Sequence, residues 1–327
     1  MSTPRTPRTL RIGTRASALA LWQARHVESL VRAQPGAPPV ELVHIKTEGD
    51  VQSDVPLWQV GGRAFFTKEI DRALLAGTVD VAVHSLKDLA TQIEPGVELA
   101  ATLPREDSRD ALVSGSGAAL AELPRGARIG TSSLRRRAFL ARARPDAVLA
   151  ELRGNVPTRI KRLREGDYDA IILAAAGLKR LGLADQVSEY LAPEAFPPAV
   201  SQGVIGVCAR SGDAATLRWL TPLDDAEARL ASTAERALLR KMEGGCQVPL
   251  GALAMVHGGT LELSASVCAL DGSRHLSARG VASATAGAQL SPEDAVALGE
   301  RVADQLLARG AADLIARERE ARAVEEP

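Results

Sequence analysis

The sequence predicts an α/β fold with two lobes of alternating strands and helices, followed by a smaller C-terminal α+β domain. Short β-branched runs alternate with helical patterns through the first two-thirds of the chain, which is typical of parallel sheets flanked by helices. The rhythm restarts after Leu103, and a different pattern begins at Pro222. The length of 327 residues is also more than a single core normally supports.

The first lobe begins with a strand predicted at 9–13. Ser17 is a suitable N-cap for the helix that follows, which we expect to extend to about Gln34. The next predicted elements are a strand at 40–46, a helix at 66–76 and a strand at 80–84. No internal repeat is evident at this level.

The second lobe repeats the alternation of strands and helices. Strands are predicted at 128–130, 148–150 and 170–173, and helices at 134–142 and 156–164. The Pro- and Gly-rich segment 197–206 is expected to carry the chain back between the lobes. We therefore predict a first lobe of 1–103 with 204–221, a second lobe of 104–203 and a C-terminal domain of 222–327.

The C-terminal domain starts with a helix predicted at 224–242. Apolar and polar residues then alternate over 261–269, which indicates an antiparallel strand with one buried face. A second helix is predicted at 292–309, and the charged end from 318 to 327 is expected to be disordered.

Composition excludes several classes of protein. The 40 basic and 40 acidic residues cancel, so net charge gives no reason to expect a nucleic acid or an anionic membrane as partner. The N-terminus lacks the apolar core of a signal peptide, and the longest apolar run, 170–178, is too short to span a bilayer. Three cysteines without CxxC spacing favour a reducing cytoplasm, and the five histidines show no metal-ligand spacing.

Basic residues are concentrated between 125 and 164, where eleven arginines and one lysine face only two acids. A run of this kind is most often a solvated helix face, and that interpretation stays open. However, Arg135 to Arg137 and Arg153 lie at turns that lead from a strand into a helix. Helix N-termini bind anions, and guanidinium groups bind carboxylates in bidentate fashion. The window therefore predicts a ligand with several negative charges. It contains one Phe and no Trp, so it offers no stacking platform for single-stranded nucleic acid.

Two further segments carry residues suited to chemistry. Lys87 and Asp88 follow the strand at 80–84, and ligands of parallel sheets bind beyond the carboxyl ends of the strands. Asp88 can stabilise a cation or transfer a proton there, or it can simply cap a loop. Cys246 lies in a Gly-flanked loop, where its thiol is expected to be more exposed than that of Cys268. A small loop residue without chemistry is the alternative for Cys246.

Eight segments, in order and with matching spacing, resemble the porphobilinogen deaminase family, and the resemblance covers nearly the whole chain. They are RIGTRASALALWQ at 11–23, GGRAFFTKEID at 61–71, DVAVHSLKDL at 80–89, PREDSRDALVS at 104–114, GTSSLRRRAFL at 130–140, LRGNVPTRIKRL at 152–163, AAAGLKRLG at 174–182 and EGGCQVPLGA at 243–252. The resemblance implies two lobes similar to those of periplasmic binding proteins, and a third domain that carries the cofactor cysteine. Ala90 and Ser201 depart from the family, which has Pro and Gly at these positions.

The resemblance also implies an activity. The family condenses four porphobilinogen molecules head to tail on a dipyrromethane primer, with loss of ammonia, and hydrolysis then releases hydroxymethylbilane for tetrapyrrole and haem biosynthesis. This chain would accordingly be a transferase, with dipyrromethane bound through a thioether to Cys246 and with Asp88 as the catalytic carboxylate. The other cofactor-binding residues that the resemblance implies are Lys87, Ser17, Arg135, Arg136 and Arg153. The substrate-binding residues that it implies are Arg15, Arg159, Arg180 and Phe66, with Arg105 and Arg109 as weaker candidates.

By the same resemblance we expect a monomer in the cytoplasm that takes porphobilinogen as its partner and needs no metal, nucleic acid or membrane. The stretch 47–61 matches a mobile loop beside the site. Two other classes stay open from the residues alone. A non-catalytic two-lobed binding protein would use the arginines only as ligands and leave the Cys246 loop unexplained. A nucleic-acid-binding protein would use 125–164, and its affinity would fall steeply with salt.

Overall fold

The computed structural model describes residues 8–47, 67–242, 248–284 and 289–324, with side chains of the last segment up to Glu318. The strands are β1 (Leu10–Thr14), β2 (Val40–His44), β3 (Val81–Ser85), β4 (Val97–Thr102), β5 (Asp110–Ser114), β6 (Arg128–Gly130), β7 (Val148–Ala150), β8 (Ala170–Ala174), β9 (Glu189–Tyr190), β10 (Ile205–Arg210), β11 (Leu250–His257), β12 (Thr260–Cys268) and β13 (His275–Ser283). The helices are α1 (Ala18–Arg32), α2 (Lys68–Leu75), α3 (Leu134–Ala143), α4 (Val156–Arg164), α5 (Ala175–Arg180), α6 (Ala214–Leu220), α7 (Ala226–Lys241), α8 (Pro292–Ala308) and α9 (Ala311–Val324).

The chain forms two compact units, and the described part of the first comprises 8–47, 67–104 and 204–226. Its sheet has the strand order β2-β1-β3-β10-β4. β1, β2 and β3 are parallel, whereas β10 is antiparallel to β3 and β4. Helix α1 packs Val27 and Val31 on one face of the sheet, and α2 packs Ile70 and Leu74 on the other. Both faces are therefore buried, as the apolar strands predict.

The second unit contains 105–203 and the described residues from 227 onwards. Its first sheet has the order β7-β6-β8-β5-β9, in which β6, β7 and β8 are parallel and β5 is antiparallel to its neighbours. In each five-stranded sheet, four strands thus run in one direction and one strand next to the edge runs in the opposite direction. The antiparallel strand is the one with which the chain returns to the first lobe, β10, or enters the second, β5. The predicted pair of α/β lobes is confirmed.

The two lobes share a short sequence as well as a strand order. Arg-Ile-Gly-Thr occurs at 11–14 and again at 128–131, at the ends of β1 and β6, which occupy the same place in their sheets. A helix with a serine N-cap follows each copy, Ser17 for α1 and Ser133 for α3. The shared tetrapeptide therefore marks equivalent positions in two lobes whose sequences otherwise show no evident repeat. Four residues are too few to stand out until the folded lobes are compared.

The C-terminal part of the second unit confirms the predicted smaller α+β domain. Strands β11, β12 and β13 form an antiparallel sheet, and apolar residues from this sheet, α7, α8 and the start of α9 form one core. A Cβ on Gly299 would lie 2.2 Å from the carbonyl oxygen of Ala234. Glycine at this position therefore allows α8 to approach the backbone of α7.

The end of the chain is more ordered than the sequence predicts. Helix α9 continues to Val324. The predicted disorder is therefore wrong for residues 318–324. Leu314 and Ile315 are buried in the C-terminal core, and the Glu318 carboxylate accepts a hydrogen bond of 3.1 Å from Leu270 N. The apolar anchors at the start of the helix explain why a charged, alanine-rich segment folds. Within the described ranges, no helix is long and apolar enough to cross a bilayer.

The chain passes from the first unit to the second after Pro104 and returns after Gly203. Gly203 has a φ of +90°, and a Cβ there would lie 2.2 Å from the carbonyl oxygen of Glu106. Ser201, two residues earlier, has a φ of +62°. Among the residues that the structure describes, it is the only non-glycine residue with a positive φ. The family glycine that Ser201 replaces therefore stands where the backbone is left-handed, a conformation that disfavours a side chain.

Candidate active site

A pocket in the first unit lies at the carboxyl end of β3. The strand ends at Ser85 and continues into a 3-10 turn, Leu86–Asp88, which places Lys87 and Asp88 beyond the sheet edge. Leu86 is fully buried beneath this turn, so the turn is fixed by packing while Asp88 keeps partial exposure. The pocket is lined by Arg15, Ser17, Leu19, Ala20, Gln23, Thr67, Val83, His84, Ser85 and Asp88. The structure thus brings three residues predicted for the site, Arg15, Ser17 and Asp88, to one pocket.

The start of α1 forms one wall of this pocket. Ser17 Oγ accepts a hydrogen bond of 3.3 Å from Ala20 N, which confirms the predicted N-cap. Because the remaining N–H groups of a helix start are oriented towards its N-terminus, this wall attracts negative charge. Arg15 adds a guanidinium group on the same wall.

A buried amide that the sequence did not single out supports the end of β3. Gln23 is 2% exposed, and its Nε2 donates a hydrogen bond of 2.9 Å to Ser85 Oγ. This contact joins the second turn of α1 to the last residue of β3. Gln23 lies within the first resembling segment, but nothing in its local pattern distinguishes it from an exposed helical glutamine.

A histidine and an aspartate meet on the other side of the pocket. His84 Nε2 lies 4.0 Å from Asp71 Oδ1, and both side chains are buried. Burial raises the pKa of Asp71 to about 6. Burial, together with the positive charge of Arg15, lowers the pKa of His84 to about 4. The imidazole is therefore neutral near pH 7, while the carboxylate is ionised.

The second unit contains a buried cluster of charges around Asp110, at the start of β5. Asp110 is 0% exposed, and Arg135 and Arg136, in the first turn of α3, are 5% and 6% exposed. Asp110 Oδ2 accepts 2.7 Å from Arg135 Nη1, and its Oδ1 accepts 2.8 Å from Arg136 Nη2. Gln202 Nε2 adds a hydrogen bond of 3.0 Å to Asp110 Oδ1. We call these four residues the Asp110 cluster.

The Asp110 cluster has more positive than negative charge. Although burial opposes ionisation, the guanidinium groups of Arg135 and Arg136 hold the pKa of Asp110 well below its usual range. One carboxylate against two guanidinium groups leaves a net charge of +1. Within the described residues, Arg135 Nε is buried without a hydrogen-bond partner. The cluster can therefore pair with one further negative group, whose charge would compensate the remaining guanidinium.

The other arginines predicted to bind ligand lie in different settings of the same unit. Arg153 follows β7 and is partly buried, and Arg159 Nε donates 2.7 Å to the carbonyl oxygen of Gly154 in the turn before α4. Arg180, at the end of α5, donates 2.6 Å from Nη2 to Gly203 O. Burial lowers the pKa of Arg180 to about 10, so it remains a cation at neutral pH.

Part of the basic window has a structural role that the sequence interpretation did not anticipate. Arg144 pairs with Asp146 at 2.8 Å, and Arg162 pairs with Asp167 at 3.0 Å. These local pairs mean that fewer arginines of 125–164 than predicted are available to a ligand.

The two weaker candidates are also engaged with carboxylates of the chain. Arg105 Nη2 lies 2.9 Å from Oε1 of the buried Glu235, which also accepts from Ser201 N and Ala254 N. Arg109 pairs with Asp107 at 2.7 Å. These contacts favour a structural role for Arg105 and Arg109.

Three predicted site features lie outside the described residues, namely Cys246, Phe66 and the loop 47–61 beyond Thr47. Cys208 and Cys268 are both buried. Burial raises the pKa of Cys268 to about 11, so its thiol stays protonated and unreactive at neutral pH. Among the described ranges no group of His, Cys, Asp and Glu could hold a metal ion.

Comparison with known proteins identifies the family. The family model described as porphobilinogen deaminase, dipyromethane cofactor binding domain, matches residues 10–218, and that of the porphobilinogen deaminase C-terminal domain matches residues 229–308. The chain belongs to the porphobilinogen deaminase family. The resemblance predicted from eight segments of the sequence is thereby confirmed, and residues 10–218 form the cofactor-binding part of a porphobilinogen deaminase fold.

Relatives within the porphobilinogen deaminase family match almost end to end. Porphobilinogen deaminase of Roseiflexus sp. (strain RS-1) is 52% identical over 94% of this chain and 99% of that protein. Those of Roseiflexus castenholzii and Syntrophotalea carbinolica are 50% and 48% identical, each over 94% of this chain and over 98% and 95% of their own lengths. Among solved structures, the methionine-binding protein MetQ is 13% identical over 70% of this chain and 93% of its own, with a TM-score of 0.43.

Asp110, Gln202, Gln23, His84 and Asp71 are the site residues that sequence reasoning missed. The segment PREDSRDALVS contains Asp110 directly before an apolar run. An acid at the first position of a buried strand needs a buried cation as its partner. The sequence therefore contained a signal for the role of Asp110. The partnership of Asp71 with His84 had no comparable signal, because it joins a helix and a strand through tertiary packing.

Proposed function

We propose that the protein is a transferase that condenses four porphobilinogen molecules head to tail on a dipyrromethane primer, with release of ammonia and, after hydrolysis, of hydroxymethylbilane. The observation that carries this proposal is the match of both family models, in order, to residues 10–308. The half-buried Asp88 in a pocket with Arg15 and Ser17 supports it from the structure.

The residues of the second unit fit a cofactor that bears carboxylates. Each pyrrole of a porphobilinogen-derived primer has an acetate and a propionate, and buried carboxylates require cationic partners. The Asp110 cluster offers a net charge of +1 and a buried Arg135 N–H without a partner in the described ranges. Arg135, Arg136 and Arg153 would hold carboxylates of the primer in this unit. When bound, the dipyrromethane supplies the nucleophilic pyrrole carbon to which each substrate is joined.

In the first unit, we assign Ser17 and Lys87 to the cofactor and Arg15 to the substrate, whose carboxylates they would bind. The carboxylate of Asp88 has the catalytic role. Fixed on the turn after β3, it can accept a hydrogen bond from a pyrrole N–H and stabilise the azafulvenium-like cation that forms when ammonia leaves. Its oxygens can then take the proton that ring attack releases. Arg159, Arg180 and Phe66 complete the proposed substrate-binding set.

Cys246 is the proposed anchor of the primer, through a thioether. Support comes from the burial of the other two cysteines, Cys208 and Cys268. The test is the intact mass of the purified protein beside Cys246→Ala, with Cys268→Ala as the matched control. We expect an excess of two porphobilinogen-derived units in the wild type and in the control, and none in Cys246→Ala.

A bare polypeptide mass in the wild type, even after incubation with porphobilinogen or hydroxymethylbilane, would contradict the proposal. That result would favour a non-catalytic anion-binding protein. An excess that persists in Cys246→Ala would instead contradict the assignment of the anchor.

The remaining parts of the proposal concern organisation. We propose a cytoplasmic monomer that has porphobilinogen as its partner and requires neither nucleic acid nor a membrane, supported by the balance of 40 basic and 40 acidic residues. We also propose the domain bounds 1–103 with 204–221, 104–203 and 222–327. Light scattering coupled to gel filtration tests the monomer, and a mass near twice 34.4 kDa would contradict it.

A further inference from the structure

The pair formed by Asp71 and His84 has buried polar atoms that the Asp88 chemistry does not use. His84 is 5% exposed and Asp71 is 8% exposed. Within the described residues, neither His84 Nε2 nor Asp71 Oδ1 has a hydrogen-bond partner, and the two atoms are 4.0 Å apart. Buried polar atoms without a partner are rare, because each has lost its hydrogen bonds to water without replacement. Their position beside a pocket indicates a ligand group that completes them.

The chemistry of the two atoms restricts that group. Asp71 is ionised at neutral pH and can only accept hydrogen bonds. His84 is neutral there, and in the tautomer protonated at Nδ1 its Nε2 also accepts. Glu69 Oε2 is a further buried oxygen without a partner in the described ranges, and the Thr67 hydroxyl interacts with the Asp71 carboxylate and lowers its pKa. A group that satisfies such a set must donate several hydrogen bonds.

The surrounding charges favour a cation over a neutral donor. Glu69 and Glu94 act on Asp71 from α2 and from the loop before β4, and both raise its pKa in addition to the effect of burial. On the other side, Arg15 is the positive charge that acts on His84, and Asp88 lines the same pocket. The charges that act on the pair are thus two acids and one cation, in addition to the Asp71 carboxylate itself, so a small positively charged donor lowers the local electrostatic energy.

We propose that Asp71 and His84 bind the ammonium group of the substrate and, after its release, ammonia. This inference rests on the proposed function, and it names the contact that recognises the leaving group. Thr67 lines the same pocket and provides a third acceptor. His84 and Asp88 line the same pocket, so that pocket would hold both the leaving nitrogen and the carboxylate that stabilises the resulting cation.

The proposed step balances in atoms and charge. An alkyl ammonium is protonated at neutral pH, since its pKa is about 10. The carbon–nitrogen bond breaks, its electron pair leaves with nitrogen as NH₃, and the substrate methylene becomes part of a cation that faces Asp88. The proton that ring attack later releases passes to the Asp88 carboxylate and from it to NH₃, which leaves as ammonium. Asp71 and His84 accept the N–H groups before and after cleavage, and no oxidant or reductant is needed.

The test compares two substrates on the same holoenzyme. Porphobilinogen is compared with its analogue in which a hydroxyl replaces the amino group, in the wild type, Asp71→Asn and His84→Gln. Each protein is loaded with hydroxymethylbilane, so that cofactor formation does not depend on deamination, and its mass is verified. Glu28→Gln, which breaks an exposed ion pair on α1, is the matched control.

We expect the preference in kcat/KM for the amine over the alcohol to fall at least about tenfold in Asp71→Asn and in His84→Gln, because a charge-assisted contact specific to the amine is lost. The control should keep the preference of the wild type. A purely structural role would lower both rates equally and leave the preference unchanged, which would overturn the proposal. If Asp71→Asn does not fold, His84→Gln alone decides. A wild type that consumes neither substrate would instead contradict the proposed function.

Discussion

The two α/β lobes have the same strand arrangement and the same Arg-Ile-Gly-Thr sequence, yet they place charge in opposite ways. In the first lobe, the acids Asp71 and Asp88 lie at or beside a pocket, opposite a helix start that carries Arg15. In the second lobe, the first turn of α3 carries two buried arginines that enclose one acid, Asp110. A single backbone frame is therefore specialised by a few side chains at the helix starts and strand ends. Under the proposed function, both lobes bind carboxylates of the ligands, and the first lobe also provides the catalytic carboxylate.

Removal of Asp88 tests whether the first lobe uses its acids for catalysis, and here we expect the largest effect. We expect Asp88→Ala to fold normally and to lose at least about a hundredfold in kcat, because a preorganised carboxylate beside a developing cation is removed. Product formation and thermal unfolding measured on one preparation check this. Near-normal turnover would show that the pocket acid has no catalytic role.

Removal of Asp110 tests whether the acid of the second lobe compensates its two buried arginines, and the effect should be a loss of stability. Asp110→Asn leaves Arg135 and Arg136 buried with their charges uncompensated, so we expect a loss of about 3–5 kcal/mol in the free energy of unfolding. Urea titration measures it. Asp167→Asn removes the partner of Arg162 at an exposed site and should have only a small effect. An equally small effect for Asp110→Asn would mean that the cluster is solvated.

The Asp71–His84 pair predicts a pH dependence in the first lobe. The pKa of Asp71 is raised to about 6, so the folded state holds a proton that the unfolded state releases, and this contribution to stability is lost as the pH rises from about 4 to 6. The pKa of His84 is lowered to about 4, so here the unfolded state binds the extra proton and stability rises over about pH 4 to 6.5. The two trends offset each other in the wild type.

When either residue is substituted, the pH dependence of stability should follow the pKa shift of the residue that remains. In Asp71→Asn, stability should rise between pH 4.5 and 6.5 by about 2 kcal/mol more than in the wild type. In His84→Gln it should fall over the same interval. Urea titrations at several pH values check the signs, and parallel curves for all three proteins would mean that neither group has a shifted pKa.

The smallest effect is expected at Ser201, where the substitution tests backbone strain and not the placement of charge. Ser201→Gly removes a side chain from a left-handed residue and a buried hydroxyl that has no partner in the described ranges. We expect a gain of about 1 kcal/mol in stability, seen as a higher Tm. Ser29→Gly, within α1, should lower stability by roughly 0.5–1 kcal/mol. A destabilised Ser201→Gly would show that the serine is not strained.

Most elements of both lobes are predictable from the sequence because their signals are local. The strands at 128–130 and 148–150 and the helix at 156–164 have the predicted bounds, and Ser17 caps its helix as predicted. Several features depended on distant partners. The sequence suggested that Arg135 and Arg136 are available to a ligand, and only the fold reveals that Asp110, on another element, already engages both. The order at the end of the chain likewise depends on burial of Leu314 and Ile315 in a core built elsewhere.

The position of β10 between β3 and β4 has a consequence for synthesis on the ribosome. The sheet of the first lobe needs residues 205–210 as an inner strand, whereas residues 105–203 supply a whole sheet of the second lobe. The sheet of the N-terminal lobe therefore lacks an inner strand until about a hundred further residues have been synthesised. Nascent chains commonly fold from the N-terminus, but here the middle of the chain can fold first. The exposed edges of β3 and β4 are then the segments most in need of protection by chaperones.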